Sequence, residues 1–163
     1  MQQSNNLYII KAGRSKVAIT FEILQAFKEI QQSHSFQNES GGIIAGYYDS
    51  SFEGIVISDI TNPQENDTCS RFKFMRRSKG HQEIMDKLWE DSGHRKSYLG
   101  EWHTHDQDSP VPSWIDTASW KKISKKQPNF DESFFVIIGR KTIGIWCFKD
   151  GTLIGNDFVS EGA

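Results

Sequence analysis

Tyr98-Leu99-Gly100-Glu101-Trp102-His103-Thr104-His105 decides how the rest of the chain is read. It is rich in residues that favour strands, Tyr98, Leu99, Trp102 and Thr104, and it ends in a loop, Asp106–Pro112, that holds two prolines. That combination reads as a strand. Beyond the loop, Ser113 to about Lys125 reads as a helix with Ser113 as N-cap, because Ser113-x-x-Asp116 is a variant of the capping box. Lys126–Glu132 reads as a turn. Phe134–Gly139 and Ile143–Phe148 form a hairpin joined at Arg140-Lys141-Thr142, and Thr152–Val159 a last strand.

Upstream, Leu7–Ile10 reads as an edge strand. Val17, Phe21, Leu24, Phe27 and Ile30 are spaced by three and four, which predicts an amphipathic helix over Val17–Gln32. Glu39-Ser40-Gly41-Gly42-Ile43-Ile44-Ala45-Gly46 opens a buried strand, and Ile55–Ile60 pairs with it across the turn Asp49–Gly54. Thr61–Thr68 is a loop. Cys69–Met75 reads as a strand with Phe72 and Phe74 on one face, and Gly80–Asp91 as a helix closed by Ser92-Gly93. Strands interleaved with three helices give an α/β (α+β) fold. The hairpins favour a mixed, largely antiparallel sheet flanked by helices, formed as one domain over residues 1–163.

The net charge of −2 calls for neither nucleic acid nor a membrane surface as partner. The longest apolar runs, near Gly42–Gly46 and Phe134–Gly139, are too short to span a bilayer. Met1–Asn6 lacks the basic and apolar regions of a signal peptide. The two cysteines, Cys69 and Cys147, stand far apart and read as free thiols of a reducing compartment. A cytoplasmic protein is therefore expected. The cluster Arg71, Lys73, Arg76, Arg77 and Lys79 reads as a solvated face, Trp114 and Trp120 as packing residues, and His34, His81 and His94 as surface residues.

The chemistry gathers at the opening stretch. Along a strand, His103 and His105 point the same way, with Cα atoms about 6.6 Å apart at roughly 3.3 Å per residue. Two imidazoles so placed can converge on one metal, and Asp116 on the first turn of the next helix can add a carboxylate oxygen. Three protein ligands and one water describe a catalytic zinc. The water's proton needs an acceptor outside the ligand set. Glu101 shares the histidines' face by periodicity, and Glu39 stands at the lip of the buried strand. The residues alone leave both open. Other motifs are missing: there is no His-Glu-x-x-His, no P-loop lysine after Gly41–Gly46, and no Pro-Cys-x-x-Cys.

His103-Thr104-His105, seven residues, then Ser113-Trp114-Ile115-Asp116 resembles the JAMM/MPN zinc metalloprotease family. Glu39-Ser40-Gly41-Gly42-Ile43-Ile44-Ala45-Gly46 looks like that family's strand bearing the catalytic glutamate, and the resemblance moves the general base from Glu101 to Glu39. It implies zinc on His103, His105 and Asp116, and Ser113 helping to hold water and the developing oxyanion. Tyr98–His105, Pro112–Asp116, Ile60-Thr61-Asn62-Pro63 and Ser70-Arg71-Phe72 are similar to the small stand-alone bacterial branch found beside E1- and E2-like proteins in CBASS anti-phage operons. The resemblance implies a deubiquitinase-like isopeptidase that cleaves after the flexible C-terminal tail of a conjugated protein, in CBASS a cGAS-like nucleotidyltransferase. Its alternatives are a processing peptidase for a ubiquitin-like or sulfur-carrier protein and an inactive MPN-type scaffold. The chain departs from the family in carrying Asp106 where proline often follows the second histidine.

Overall fold

A computed structural model describes residues 6–36, 38–63, 68–69, 74–75, 78–160 and 162–163, with backbone alone at 68–69, 74–75 and 78–79. In chain order the elements are β1 (Leu7–Ile10), β2 (Val17–Thr20), α1 (Phe21–Ser33), β3 (Gly41–Asp49), β4 (Gly54–Ile60), β5 (Thr68–Cys69), β6 (Phe74–Met75), α2 (Ser78–Asp91), β7 (Ser97–Thr104), α3 (Trp114–Lys125), β8 (Ser133–Ile138), β9 (Ile143–Lys149) and β10 (Thr152–Phe158). Eight strands form one sheet in the order β1-β2-β4-β3-β7-β8-β9-β10. Only the β2–β4 and β7–β8 pairs are parallel, so the sheet is mixed and mostly antiparallel, as expected. The parallel β7–β8 pair needs a crossover, and α3 provides it.

Two expectations change. Val17–Thr20 is a strand, and the helix begins only at Phe21. The spacing from Val17 to Phe21 suits a helix, but Val17, Ile19 and Thr20 are β-branched and find backbone partners in β1 and β4. Thr20 then caps α1, its hydroxyl accepting from Ile23 N at 3.4 Å. Cys69–Met75 is not one strand: Thr68 pairs with Met75 and Cys69 with Phe74, antiparallel. Phe72, Cys69's side chain and the side chains of the Arg71–Lys79 basic cluster lie outside the described residues.

Alternation along the strands divides the core between the two faces of the sheet. One face, with Trp102, Phe134, Val136 and Ile57, is covered by Leu24 and Phe27 of α1. Phe27 meets Trp102 edge-on with ring centroids 6.4 Å apart. On the other face, Trp120 of α3 stacks on Phe135 and packs with Ile137, Trp146 and Phe148, while Met85 of α2 covers Ile43 and Ala45. Burying each of these large side chains contributes roughly 1.5–3 kcal/mol, so both helix layers are firmly seated. β7 runs between β3 and β8, and its polar end opens on the α2–α3 side.

Gly42 shows how closely β3 is approached. A Cβ there would run into the Thr61 carbonyl and the Trp102 indole nitrogen. Those two groups hydrogen-bond at 2.9 Å, the indole donating.

Candidate metal centre

His103 lies inside β7, opposite Gly41 of β3 and Ile137 of β8. His105 follows the strand's last residue, yet its amide still donates to Ile138 O at 3.0 Å, so the extended alternation persists. Both imidazoles therefore project to the α3 side, ring centroids 4.8 Å apart, with Trp120 next to His103 at 6.1 Å. Thr104 points the opposite way. Its hydroxyl accepts from Ser40 N at 3.0 Å and its amide donates to Ser40 O at 2.8 Å. These bonds tie Ser40 to β7 and carry its neighbour to His105: Glu39 Oε1 stands 3.7 Å from His105 Nε2.

Asp116 arrives from α3 through the capping box. Ser113 Oγ accepts from Asp116 N at 3.1 Å, and Asp116 Oδ2 accepts from Ser113 N at 2.8 Å. The cap aims the aspartate. Oδ1 lies 3.4 Å from His103 Nε2 and Oδ2 lies 3.2 Å from His105 Nε2, while the two Nε2 atoms are 3.1 Å apart. The histidines are 7% exposed. Burial raises the cost of a charged carboxylate, but hydrogen bonds from both imidazoles and from Ser113 N hold Asp116 well below the usual carboxylate range. For His105, burial pushes the imidazole down, and Asp116 and Glu39 outweigh it, so the net shift is upward from 6.5.

Glu39, His105, Asp106, Gln107, Val111, Pro112 and Ser113 line a cleft of about 450 Å³. His103, His105 and Asp116 form a group that could hold a metal ion, with ligand atoms within 4.8 Å of one another. The structure thus brings together all five residues singled out from the sequence. Glu101 takes a hydrogen bond from Tyr98 OH at 3.4 Å, and Tyr98 packs with the Ile43–Ala45–Met85 cluster.

Three other expectations are corrected. His81 is fully buried in α2, its Nδ1 2.7 Å from Thr61 Oγ1, which in turn accepts from Ile43 N at 2.7 Å. The signal was present: His81, Met85 and Leu88 follow helical spacing on one stripe. His34 is half-buried, with Nε2 2.8 Å from Asn38 O and 3.3 Å from Thr104 Oγ1, beside the segment that leads to Glu39. Trp120 packs as expected, but Trp114, next in the chain to Ser113, is 79% exposed.

A mixed sheet whose central His-x-His strand meets a capped helix aspartate defines an MPN/JAB-type fold with a candidate hydrolytic metal centre. Residues 24–149 match the family of prokaryotic homologs of the JAB domain, and the chain belongs to it. A protein of Escherichia coli (strain TW11681) named CD-NTase/cGAS isopeptidase is 34% identical over 154 residues, 94% of this chain and 92% of that protein. One of the same name from Pseudomonas aeruginosa (strain BWHPSA011 / Pa011) is 32% identical, over 82% of this chain and 83% of that one. The solution structure of a Desulfitobacterium hafniense protein superposes with a TM-score of 0.55 at 18% identity, over 88% of this chain and 90% of that chain, a likeness of fold.

Proposed function

We propose that this chain, as one domain over residues 1–163, is a zinc-dependent JAMM-type isopeptidase of cytoplasmic anti-phage (CBASS) defence. Its substrate is a cGAS-like nucleotidyltransferase conjugated through its flexible C-terminal tail. The relatives' names support the substrate class. The observation that carries the chemistry is the set of separations among the three side chains, 3.1, 3.2 and 3.4 Å. Ligands 2.0–2.2 Å from a tetrahedral zinc stand about 3.3–3.6 Å from one another, so these atoms need part by only a few tenths of an ångström to hold the ion, which supports the reading.

Zinc held by His103, His105 and Asp116 supplies Lewis-acid polarisation of a carbonyl and lowers the pKa of a water. Glu39, outside that set and beside His105, accepts the water's proton and returns it to the leaving lysine amine. Ser113 Oγ accepts from Asp116 N, which leaves its hydroxyl hydrogen to donate to the oxygen on which charge develops. β7 is paired on both sides in the sheet, so the tail is received in the cleft and not along an edge of β7. Among the described residues no helix is long and apolar enough to cross a membrane.

The test is cleavage of a CD-NTase joined by its C-terminal carboxyl to a lysine side chain. Release of the free protein, loss of release with a chelator, and return with about one zinc per chain support the proposal. Release that persists in a chain stripped of metal would sink the zinc mechanism, and an intact conjugate in the presence of zinc would sink the substrate.

A further inference from the structure

We propose that Gln107 is a positioning residue that sets the tautomer of His105. The inference rests on the zinc reading above and goes beyond it. Gln107 Oε1 lies 2.9 Å from Val111 N and 3.2 Å from His105 Nδ1. A backbone N–H only donates, so the amide atom facing Val111 must be the oxygen, since the NH₂ there would set two donors face to face. That oxygen only accepts, so His105 Nδ1 must carry a hydrogen. A neutral imidazole has one N–H, and His105 Nε2 therefore keeps its lone pair. Nε2 is the atom that faces His103 and Asp116. Two hydrogen bonds thus select the tautomer able to bind a metal, where the other tautomer would point N–H into the centre.

The oxygen is held in place from the opposite side of the loop. Gln107 O accepts from Arg140 N at 2.7 Å, and Asp108 O accepts from Lys141 N and Thr142 N, each at 3.0 Å. An ion pair joins Asp106 to Arg140. The β8–β9 turn thereby fixes the segment that carries Gln107. Partners of this kind, behind a metal-binding histidine, typically govern metal affinity by 10–100-fold.

The experiment uses the full chain and its Q107L, Q107E and R140A variants. Zinc affinity is measured by competition with a chromophoric chelator. The imidazole ¹⁵N shifts of metal-free protein are read in alkaline buffer. The wild type should show His105 as Nδ1–H. Q107L should show mixed tautomers and bind zinc about 10–100-fold more weakly. Q107E, which keeps an oxygen at that place, should regain both properties. R140A removes the Asp106 ion pair but keeps the backbone bond from Arg140 N to Gln107 O, so the Gln107 segment stays fixed and this variant should match the wild type. Wild-type affinity and an unmixed tautomer in Q107L would overturn the proposal, as would equal losses in Q107L and R140A. A wild type that binds no zinc but still shows the tautomer change in Q107L overturns the zinc reading while upholding Gln107's hold on His105.

Discussion

Asp116 and Glu132 are both carboxylates packed into this fold, and their surroundings are opposite. Glu132, 2% exposed, is closed by hydrogens: Arg14 N at 3.1 Å, Ser15 N at 2.9 Å, Ser15 Oγ at 3.0 Å and Cys147 Sγ at 2.7 Å all donate to it. Burial, then the bond to Glu132, pushes the Cys147 thiol up, which keeps its hydrogen in place and makes it a poor nucleophile. A Cβ on Gly13 would strike both Glu132 and Cys147, so nothing is left for a ligand. Asp116 instead faces two imidazole nitrogens that already stand 3.1 Å from each other. Ser113 N donates to it, but the other neighbours are imidazole nitrogens, which can offer either a hydrogen or a lone pair. A buried carboxylate closed off by donors is structure, and one that shares its space with two imidazoles is a group that could hold a cation.

Substitution at the two positions should therefore separate activity from stability. Asp116→Asn keeps an acceptor for Ser113 N but loses the charge. Zinc content should fall to background and cleavage by roughly 10⁴-fold, the several kcal/mol that a metal contributes, while the thermal midpoint of the metal-free chain stays near wild type. If this variant unfolds instead, the comparison breaks. Glu39→Gln should cut cleavage on the order of 10³-fold with zinc content unchanged, the usual contribution of a general acid–base. A dead Glu101→Gln beside an active Glu39→Gln would reverse that assignment. Glu132→Ala should do the opposite of both. It orphans several buried donors at a cost of about 3 kcal/mol, seen in denaturant unfolding, and cleavage per folded molecule stays at wild type.

The same contrast marks what could be read from the sequence. His103, His105 and Asp116 were legible because strand alternation and a helix cap are local patterns. The place of Glu39 beside His105 was not, because it depends on β3 meeting β7 with Gly41 opposite His103, a pairing between distant segments. Periodicity pointed to Glu101, the lip of the buried strand to Glu39, and the family resemblance decided for Glu39. The helix predicted from Val17 failed for the same reason, since pairing with Leu7–Ile10 outweighs a spacing of four. Glu132 carries no sequence signal, because its donors come from the loop before β2 and from β9. The mixed sheet was legible from its hairpins, but the order of its strands was not.

The smallest effect concerns pH, and it tests whether protons and the ion compete for the same atoms. In the metal-free chain the folded pKa of His105 is raised above 6.5. Its contribution to stability is fully present below the unfolded value and is lost as pH rises through the folded one. Asp116 is lowered from 3.8, so its contribution is present above that value and is lost only in strong acid. Without metal, this pair should therefore weaken as the buffer turns from mildly acidic to alkaline. Zinc binding requires His105 unprotonated, so its stabilisation should grow over the same interval. The measured quantity is the gap between thermal midpoints with zinc and with chelator, followed from about pH 5 to about pH 9, a difference in which groups remote from the site cancel. The gap should widen toward alkaline pH in the wild type and in Glu132→Ala alike, since Glu132 plays no part in the exchange. A gap that stays level would place the proton and the ion on different atoms. A gap that widens in the wild type but not in Glu132→Ala would mean that the two carboxylates are not independent.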